Sequence, residues 1–519
     1  MSTLLRTLPF IFTGLLFASC RSAPDISSAT LVDRPPRIDP DYTSLVVPPN
    51  IAPMNFRIAE VGRDYVVKIS SDAAEPIELE CPDGTCQIEP DEWRELLREN
   101  KGKQFFYDIY VKRADETWVQ FQRITNAVAK EPIDSYIVYR RLFPNKKISS
   151  IRGIFQRSLE SFETSALATL RDGTFTCFNC HTFHEHNPDK FLIHIRGKHA
   201  GMMLVLDGEM RKIDTKQEPM FRPLAYASWH PDGLHITATI NMFIGHFPSS
   251  AKNYYFDAIE KRGDLVVYNV EANSISTTKE VFENEYIETH PCWSHDGKQI
   301  YFVRGRDRPL LSHEDMDAFK FDMMRISYDV ATDTWGSPET VMAYSQADKS
   351  CAFPRPSPDG RYVLHILSDK ATYPIHQKSS DVYLFDLESK EYRRLDSVNS
   401  EWAESYPRWS SNGRWFSMVS NRRDNMSALP YFAYFDSEGQ VHKAFVLPQE
   451  DPAYYDTFTD TYNVLEMVKS RVNIDPFELA QGMQLPAKNA VFPNPPEVDA
   501  YTGATWIHAG IQADTSSGY

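Results

Sequence analysis

One hairpin pattern returns four times in this chain, and a fold that reuses one local structure four times has few architectures open to it. Tyr226-Ala-Ser-Trp229-His-Pro-Asp232-Gly233 runs into Ile236-Thr237, and His290-Pro-Cys-Trp293-Ser-His-Asp296-Gly297 runs into Ile300-Tyr301-Phe302. Phe353-Pro-Arg-Pro-Ser357-Pro-Asp359-Gly360 leads to Val363-Leu364, and Tyr406-Pro-Arg-Trp409-Ser-Ser-Asn412-Gly413 leads to Phe416. In each copy an apolar strand enters, Asp-Gly or Asn-Gly reverses the chain with φ > 0, and an aliphatic strand returns. A second hairpin follows in several copies, as at Asp264–Val270 and Asp381–Leu387. Two hairpins per unit make a four-stranded unit, and the turn glycines recur about every 50 to 65 residues, a repeat-protein period. A lone β-sandwich does not require W-S-x-D-G to recur.

These copies resemble the WD40-like repeats of the TolB propeller family over roughly Asp189 to Pro448. The resemblance implies an all-β propeller of about six blades. A fifth copy is expected around Phe191 to Ile213, where Asp207-Gly208 follows Met202-Met-Leu-Val-Leu206, and a sixth is to be assembled with help from the N-terminal flank. A narrower resemblance runs from Tyr136 into the tail. It is carried by Tyr139-Arg140, Gly153-Ile-Phe-Gln156-Arg157-Ser158-Leu159, Cys177-Phe-Asn179-Cys180-His181, Ile193-His194-Ile-Arg196-Gly197 and Tyr455-Asp-Thr-Phe458. Those motifs are similar to a family of Bacteroidetes envelope proteins labelled TolB-like or, loosely, "cytochrome c biosynthesis". TolB proper has an N-terminal α/β domain, which the β-rich N-terminus here does not resemble.

The expected organisation has six parts. Residues 1–19 read as a lipoprotein signal, 20–50 as a Pro-rich tether and 51–145 as a small immunoglobulin-like β domain with one helix, Asp91 to Glu99, opened by Pro90. Residues 146–200 read as a connector carrying the CxxCH, helical from Gln156 to Leu170. Residues 190–450 form the propeller and 451–519 an irregular extension, with short helices at 464–472 and 477–483.

The signal assignment rests on Arg6, the apolar run Leu8 to Phe17, and Phe17-Ala18-Ser19-Cys20 as a lipobox. That run is too short to cross a bilayer core of about 30 Å. Lipidation of Cys20 provides the acyl chains for stable anchoring. Arg21, in place of Asp, implies delivery to the outer membrane, with the body on the periplasmic side or the cell surface. The net charge of −16, with no basic run, argues against nucleic acid and anionic lipid headgroups as partners. An envelope protein or a glycan is the expected partner.

Cys81 and Cys86 bracket Pro-Asp-Gly-Thr, so a small disulfide clip across a turn is expected in an oxidising compartment. Cys177-Phe178-Asn179-Cys180-His181 is the one local pattern with chemical content. In an exported protein C-x-x-C-H is the attachment signature of c-type haem, with both thiols bonded to the vinyl groups and His181 as proximal ligand. His194 is the first choice as distal ligand. The alternatives are a Cys177–Cys180 disulfide, a zinc site in which Cys177 and Cys180 join neighbouring histidines such as His181 and His194 among the five of this window, and a thioredoxin-like redox pair. No Gly-rich phosphate loop, nucleophile elbow or HExxH motif is present, so no enzyme class is indicated. Three functions are therefore in play: a non-catalytic binding or assembly platform, a haem-dependent redox protein, and a glycan-active propeller enzyme. The first is the expectation, with haem attachment as its leading addition.

Overall fold

A computed structural model describes residues 24–142, 151–169, 176–197, 199–220, 223–246, 257–307, 313–371 and 373–497. The signal segment and Cys20 lie outside the described residues. The repeats are blades of a closed β-propeller. Six mainly antiparallel sheets of four or five strands, blades 1 to 6, follow one another, and their innermost strands, Thr461–Val468, Thr176–Phe183, Leu224–Trp229, Tyr286–Trp293, Ser350–Pro356 and Glu404–Trp409 in that order, touch in a closed ring.

Each repeat behaves as its residues dictate. In blade 4 the inner strand Tyr286–Trp293 pairs with Gln299–Arg306 across Asp296-Gly297, where Gly297 takes φ 71°. The carboxylate of Asp296 accepts from the Lys298 amide at 3.1 Å, and Ser294 Oγ donates to it at 2.7 Å. Ser294 Oγ also accepts from the Gln299 amide at 3.0 Å, which explains why Ser and Asp recur together. The tryptophans join blades. Trp229 Nε1 donates to the carbonyl of Thr182 in the blade before, and Trp409 Nε1 to that of Arg355, at 3.2 and 2.9 Å. Separate apolar cores fill the wedges between blades 2 and 3, 3 and 4, and 4 and 5.

The ring closes with strands distant in sequence. Blade 1 takes Tyr136–Leu142, Ile151–Ser158 and Thr164–Thr169 from the N-terminal side, and its innermost strand, Thr461–Val468, from the C-terminal side. Every residue of Thr461–Val468 is buried. The expected connector at 146–200 is therefore propeller, because its described part builds blades 1 and 2. The helix expected from Gln156 to Leu170 is a hairpin: Ser158 Oγ accepts from the amides of Glu160 and Ser161, turning the chain, and pairing with distant strands outweighs local helix propensity. In the expected irregular tail, 464–468 is strand, while the second helix forms at Pro476–Gly482 with Asp475 as its cap. The expected fifth copy is a hairpin of blade 2, turning at Asp207-Gly208.

The N-terminal domain holds a seven-stranded and a three-stranded sheet, with the helix Pro90–Glu99 packed on them through Trp93, Leu96 and Leu97. Cys81 and Cys86 are disulfide-bonded. Much of the expected tether belongs to this domain. Thr30–Val32 pairs with Trp118–Phe121, Ile38–Asp39 with Phe56–Ile58, and Val46–Val47 with Ile124–Val128. Buried Tyr42, Leu45 and Val47 supply the apolar surface that a solvated linker lacks, and the prolines only delimit the short strands. The domain docks on blade 6, where Trp415 Nε1 donates to the Glu131 carbonyl at 3.0 Å and Asp134 accepts from Ser411.

Candidate functional site

Every inner strand carries a two-residue bulge, and the six bulges shape the channel. Pairing slips between Phe178 and His181, Ala225 and Ser228, Thr289 and Cys292, Ala352 and Arg355, Ser405 and Arg408, and at Val464-Leu465. Where described, the first bulge residue has a left-handed backbone: Tyr226 at φ 49°, His290 at 56°, Phe353 at 51°, Tyr406 at 52° and Val464 at 50°. Holding such a conformation costs on the order of 1–3 kcal/mol for each residue. What it achieves is a ring of side chains on the axis. Tyr226 meets His290 edge-on with centroids 4.7 Å apart, His290 lies 4.0 Å from Phe353, and Phe353 stacks on Tyr406 at 4.5 Å.

Pairing resumes at His181, Ser228, Cys292, Arg355, Arg408 and Glu466, one residue from each blade, which form a polar belt below the aromatic ring. Two cavities meet there. The upper, about 60 Å³, is lined by Arg140, Cys180, His181, Tyr226, Tyr373 and Tyr406 among others. The lower, about 170 Å³, opens at the end bearing the Asp-Gly turns and is lined by Thr182, Glu185, His186, Cys292, His295 and Glu466 among others. Arg355 and Arg408 line both. Arg408 pairs with Glu466 at 2.9 Å, and the other Glu466 oxygen accepts from the Phe183 amide at 2.9 Å.

The C-x-x-C-H stretch is thus the bulged inner strand of blade 2. The backbone of Cys177 pairs opposite Arg196, and its side chain lies outside the described residues. Cys180 is a bulge residue with a free thiol beside the upper cavity. His181 is 2 % exposed, neither ring nitrogen has a hydrogen-bond partner, and burial pushes its pKa down to about 4. A c-type haem does not fit this arrangement. The cavity beside His181 has room for a handful of waters, at roughly 10–15 Å³ each, and a porphyrin is many times larger. His194, expected as distal or metal ligand, sits in Lys190–Gly197 opposite Met202, buried and with its pKa held well below the usual value by burial.

Among the described residues the one cluster of three metal-ligating groups is His230, Asp232 and His235. It is a repeat turn. His230 stands where the other copies have serine, its Nδ1 accepts from the Asp232 amide at 3.0 Å, and His235 Nδ1 contacts Asp232 at 2.7 Å. The ligand atoms are already spent on closing the hairpin.

A second polar group lies at the upper end. Tyr226 Oη donates to Tyr373 Oη at 2.7 Å, and close by Glu260, 2 % exposed, accepts from the Asn241 amide at 3.1 and 3.2 Å. Burial pushes the Glu260 pKa up to about 8. Folding therefore favours the protonated acid. This contribution is fully present below the unfolded value near 4.5 and is lost as pH rises toward 8, at about 1.4 kcal/mol per pH unit. Thermal melts from pH 5 to pH 8 are expected to show a decline in stability that Glu260→Gln reduces, and equal declines in both proteins would refute the assignment.

Sequence reasoning passed over Arg355, Arg408, Glu260 and Tyr373. The two arginines had a signal: each lies four residues before the Asp or Asn of its turn, where the other copies carry Ser228 and Cys292. Aligning the repeats one above another brings the belt into view. Glu260 and Tyr373 lie outside the repeated pattern and had none.

The chain is a six-bladed β-propeller protein. No family model and no curated protein matches it. Among solved structures it is similar to an oligogalacturonate lyase from Vibrio parahaemolyticus, at 12 % identity and TM-score 0.32, covering 66 % of this chain and 100 % of that one. It is likewise similar to the propeller domain of the Trilobed protease from Pyrococcus furiosus, at 10 % identity and TM-score 0.30, covering 66 % and 82 %. A hypothetical selenium-binding protein from Sulfolobus tokodaii matches at 8 % identity and TM-score 0.38, covering 67 % and 96 %. Likeness at this level says nothing about chemistry.

Proposed function

We propose that this protein is an outer-membrane lipoprotein, anchored through Cys20, whose propeller is a binding platform that receives a small molecule, or the tip of an envelope partner, in the lower mouth of its channel. The observation that carries the reading is the lower cavity: an opening of about 170 Å³ that ends on a built polar belt rather than on apolar core. It is smaller than the roughly 300–1,000 Å³ of a site for a whole drug-sized ligand, so it suits one compact group. The tryptophans around it are committed to blade-to-blade packing, Trp229 and Trp409 through indole hydrogen bonds, which favours a polar guest over a stacked sugar. Support for the anchor is the lipobox Phe17-Ala18-Ser19-Cys20.

Cys292 reports on the cavity it lines. Maleimide labelling of Cys292, read by mass spectrometry, is expected to slow about tenfold when a low-molecular-mass filtrate of the native envelope supplies ligand at ten times its Kd. Unchanged labelling across all filtrates counts against a channel ligand. For the anchor, Cys20→Ser is expected to move the protein from the membrane pellet to the soluble fraction, and continued pelleting would exclude lipidation as its hold on the membrane.

A further inference from the structure

We propose that the belt between the two cavities is an anion site, at which a carboxylate or phosphate group entering by the lower mouth is held by the guanidinium groups of Arg355 and Arg408. The inference rests on the channel-binding reading and gives that ligand a chemical class. Arg355 is 9 % exposed, yet among the described residues no carboxylate comes within salt-bridge reach of it. Its Nη1 donates to the Pro354 carbonyl at 2.9 Å, its Nε is buried without a partner, and its guanidinium lies 5.8 Å from the centre of the Phe353 ring. Arg408 beside it already has Glu466, and the Phe183 amide occupies that carboxylate's other oxygen. One carboxylate thus serves two arginines.

The other groups facing the belt do not make up the difference. His181 is neutral, being buried with its pKa near 4. Cys292 Sγ contacts the Trp293 carbonyl at 3.7 Å, and Ser228 Oγ donates to that sulfur at 3.8 Å. Burial and then the neighbouring Arg408 push the Arg355 pKa down, while Cys292 and Glu466 offset only part of that shift. A buried charge without its partner is costly, and a planar guanidinium matches the paired oxygens of a carboxylate or phosphate. In a chain of net charge −16, this concentration of arginine on the axis calls for an anionic guest.

The test is thermal unfolding of the full-length lipidated protein in detergent, with sodium phosphate, sodium succinate, or sodium chloride at matched ionic strength. At least one of the first two is expected to raise Tm by about 1.5–2 °C over chloride at ten times its Kd, and which one does so identifies the oxygen donor. Arg355→Met is expected to melt no lower than wild type without anion, since it removes an uncompensated buried charge, and to lose the shift. Arg355→Gln is a second variant with the same expectation. A shift that survives in both variants, or no shift with either anion, overturns the proposal. If both anions fail while the envelope filtrate still protects Cys292, the channel binds a ligand of another class. If the filtrate fails as well, the channel-binding reading falls with it.

Discussion

Ending the chain at Pro448, just beyond the last recognisable repeat, is expected to leave a protein with no cooperative thermal transition. The truncation removes Thr461–Val468, the innermost strand of blade 1 and the only one of its four strands contributed from the C-terminal side. Tyr462, Leu465, Met467 and Val468 are each 2 % exposed or less. At about 1.5–3 kcal/mol for each large apolar side chain buried, these four alone contribute on the order of 10 kcal/mol. That is comparable with the whole stability of a typical domain, roughly 5–15 kcal/mol. The loss also strips one edge of Tyr136–Leu142 of its partner strand and takes Glu466 from the belt, leaving Arg408 without its carboxylate. Leu465→Ala is the graded version and is expected to fold with a loss of about 2–5 kcal/mol, read from chemical denaturation. A sharp melt from the truncated chain would show that this strand does not close the ring.

The same strand shows where sequence reading reached its limit. The Asp-Gly hairpins were legible because each is a local structure written four times, and the helix at Pro90–Glu99 because its opening proline and apolar spacing are local too. The partner of Thr461–Val468 is more than 300 residues away, and nothing within Thr461-Tyr-Asn-Val-Leu-Glu-Met-Val468 names it. The short strands at Thr30–Val32 and Val46–Val47 were hidden for a related reason: two or three residues between prolines look like linker until a neighbouring sheet edge takes them up. The belt is a relation between equivalent positions in six blades, invisible along any one of them. His181 is the sharpest case. Read along the chain it completes a haem signature, and read across the blades it is the position equivalent to Ser228, Cys292, Arg355, Arg408 and Glu466.

The second large prediction follows from that equivalence. Haem attachment needs Cys177 and Cys180 accessible to the vinyl groups and His181 free to reach iron, with space for the macrocycle. The structure instead holds this stretch as the inner strand of blade 2, with His181 shut inside the channel wall beside a cavity of about 60 Å³. Placing a porphyrin there would mean parting blade 2 from its neighbours, against the apolar cores that include Phe178 and Phe183 on one side and Leu192 and Leu204 on the other. His181→Ser, which installs the belt residue of blade 3, is accordingly expected to leave a folded protein whose visible spectrum is unchanged.

The most direct measurement is a pyridine haemochrome spectrum with a haem-stained denaturing gel, on the full-length protein purified from its native envelope with the haem-attachment machinery present. The expected result is no covalent haem, with Cys177 and Cys180 both recovered free of thioether adducts by mass spectrometry. A c-type band that is lost on Cys177→Ala would contradict the account. It would mean that the inner strand of blade 2 is rebuilt around a cofactor and that the belt is not the functional centre of the channel.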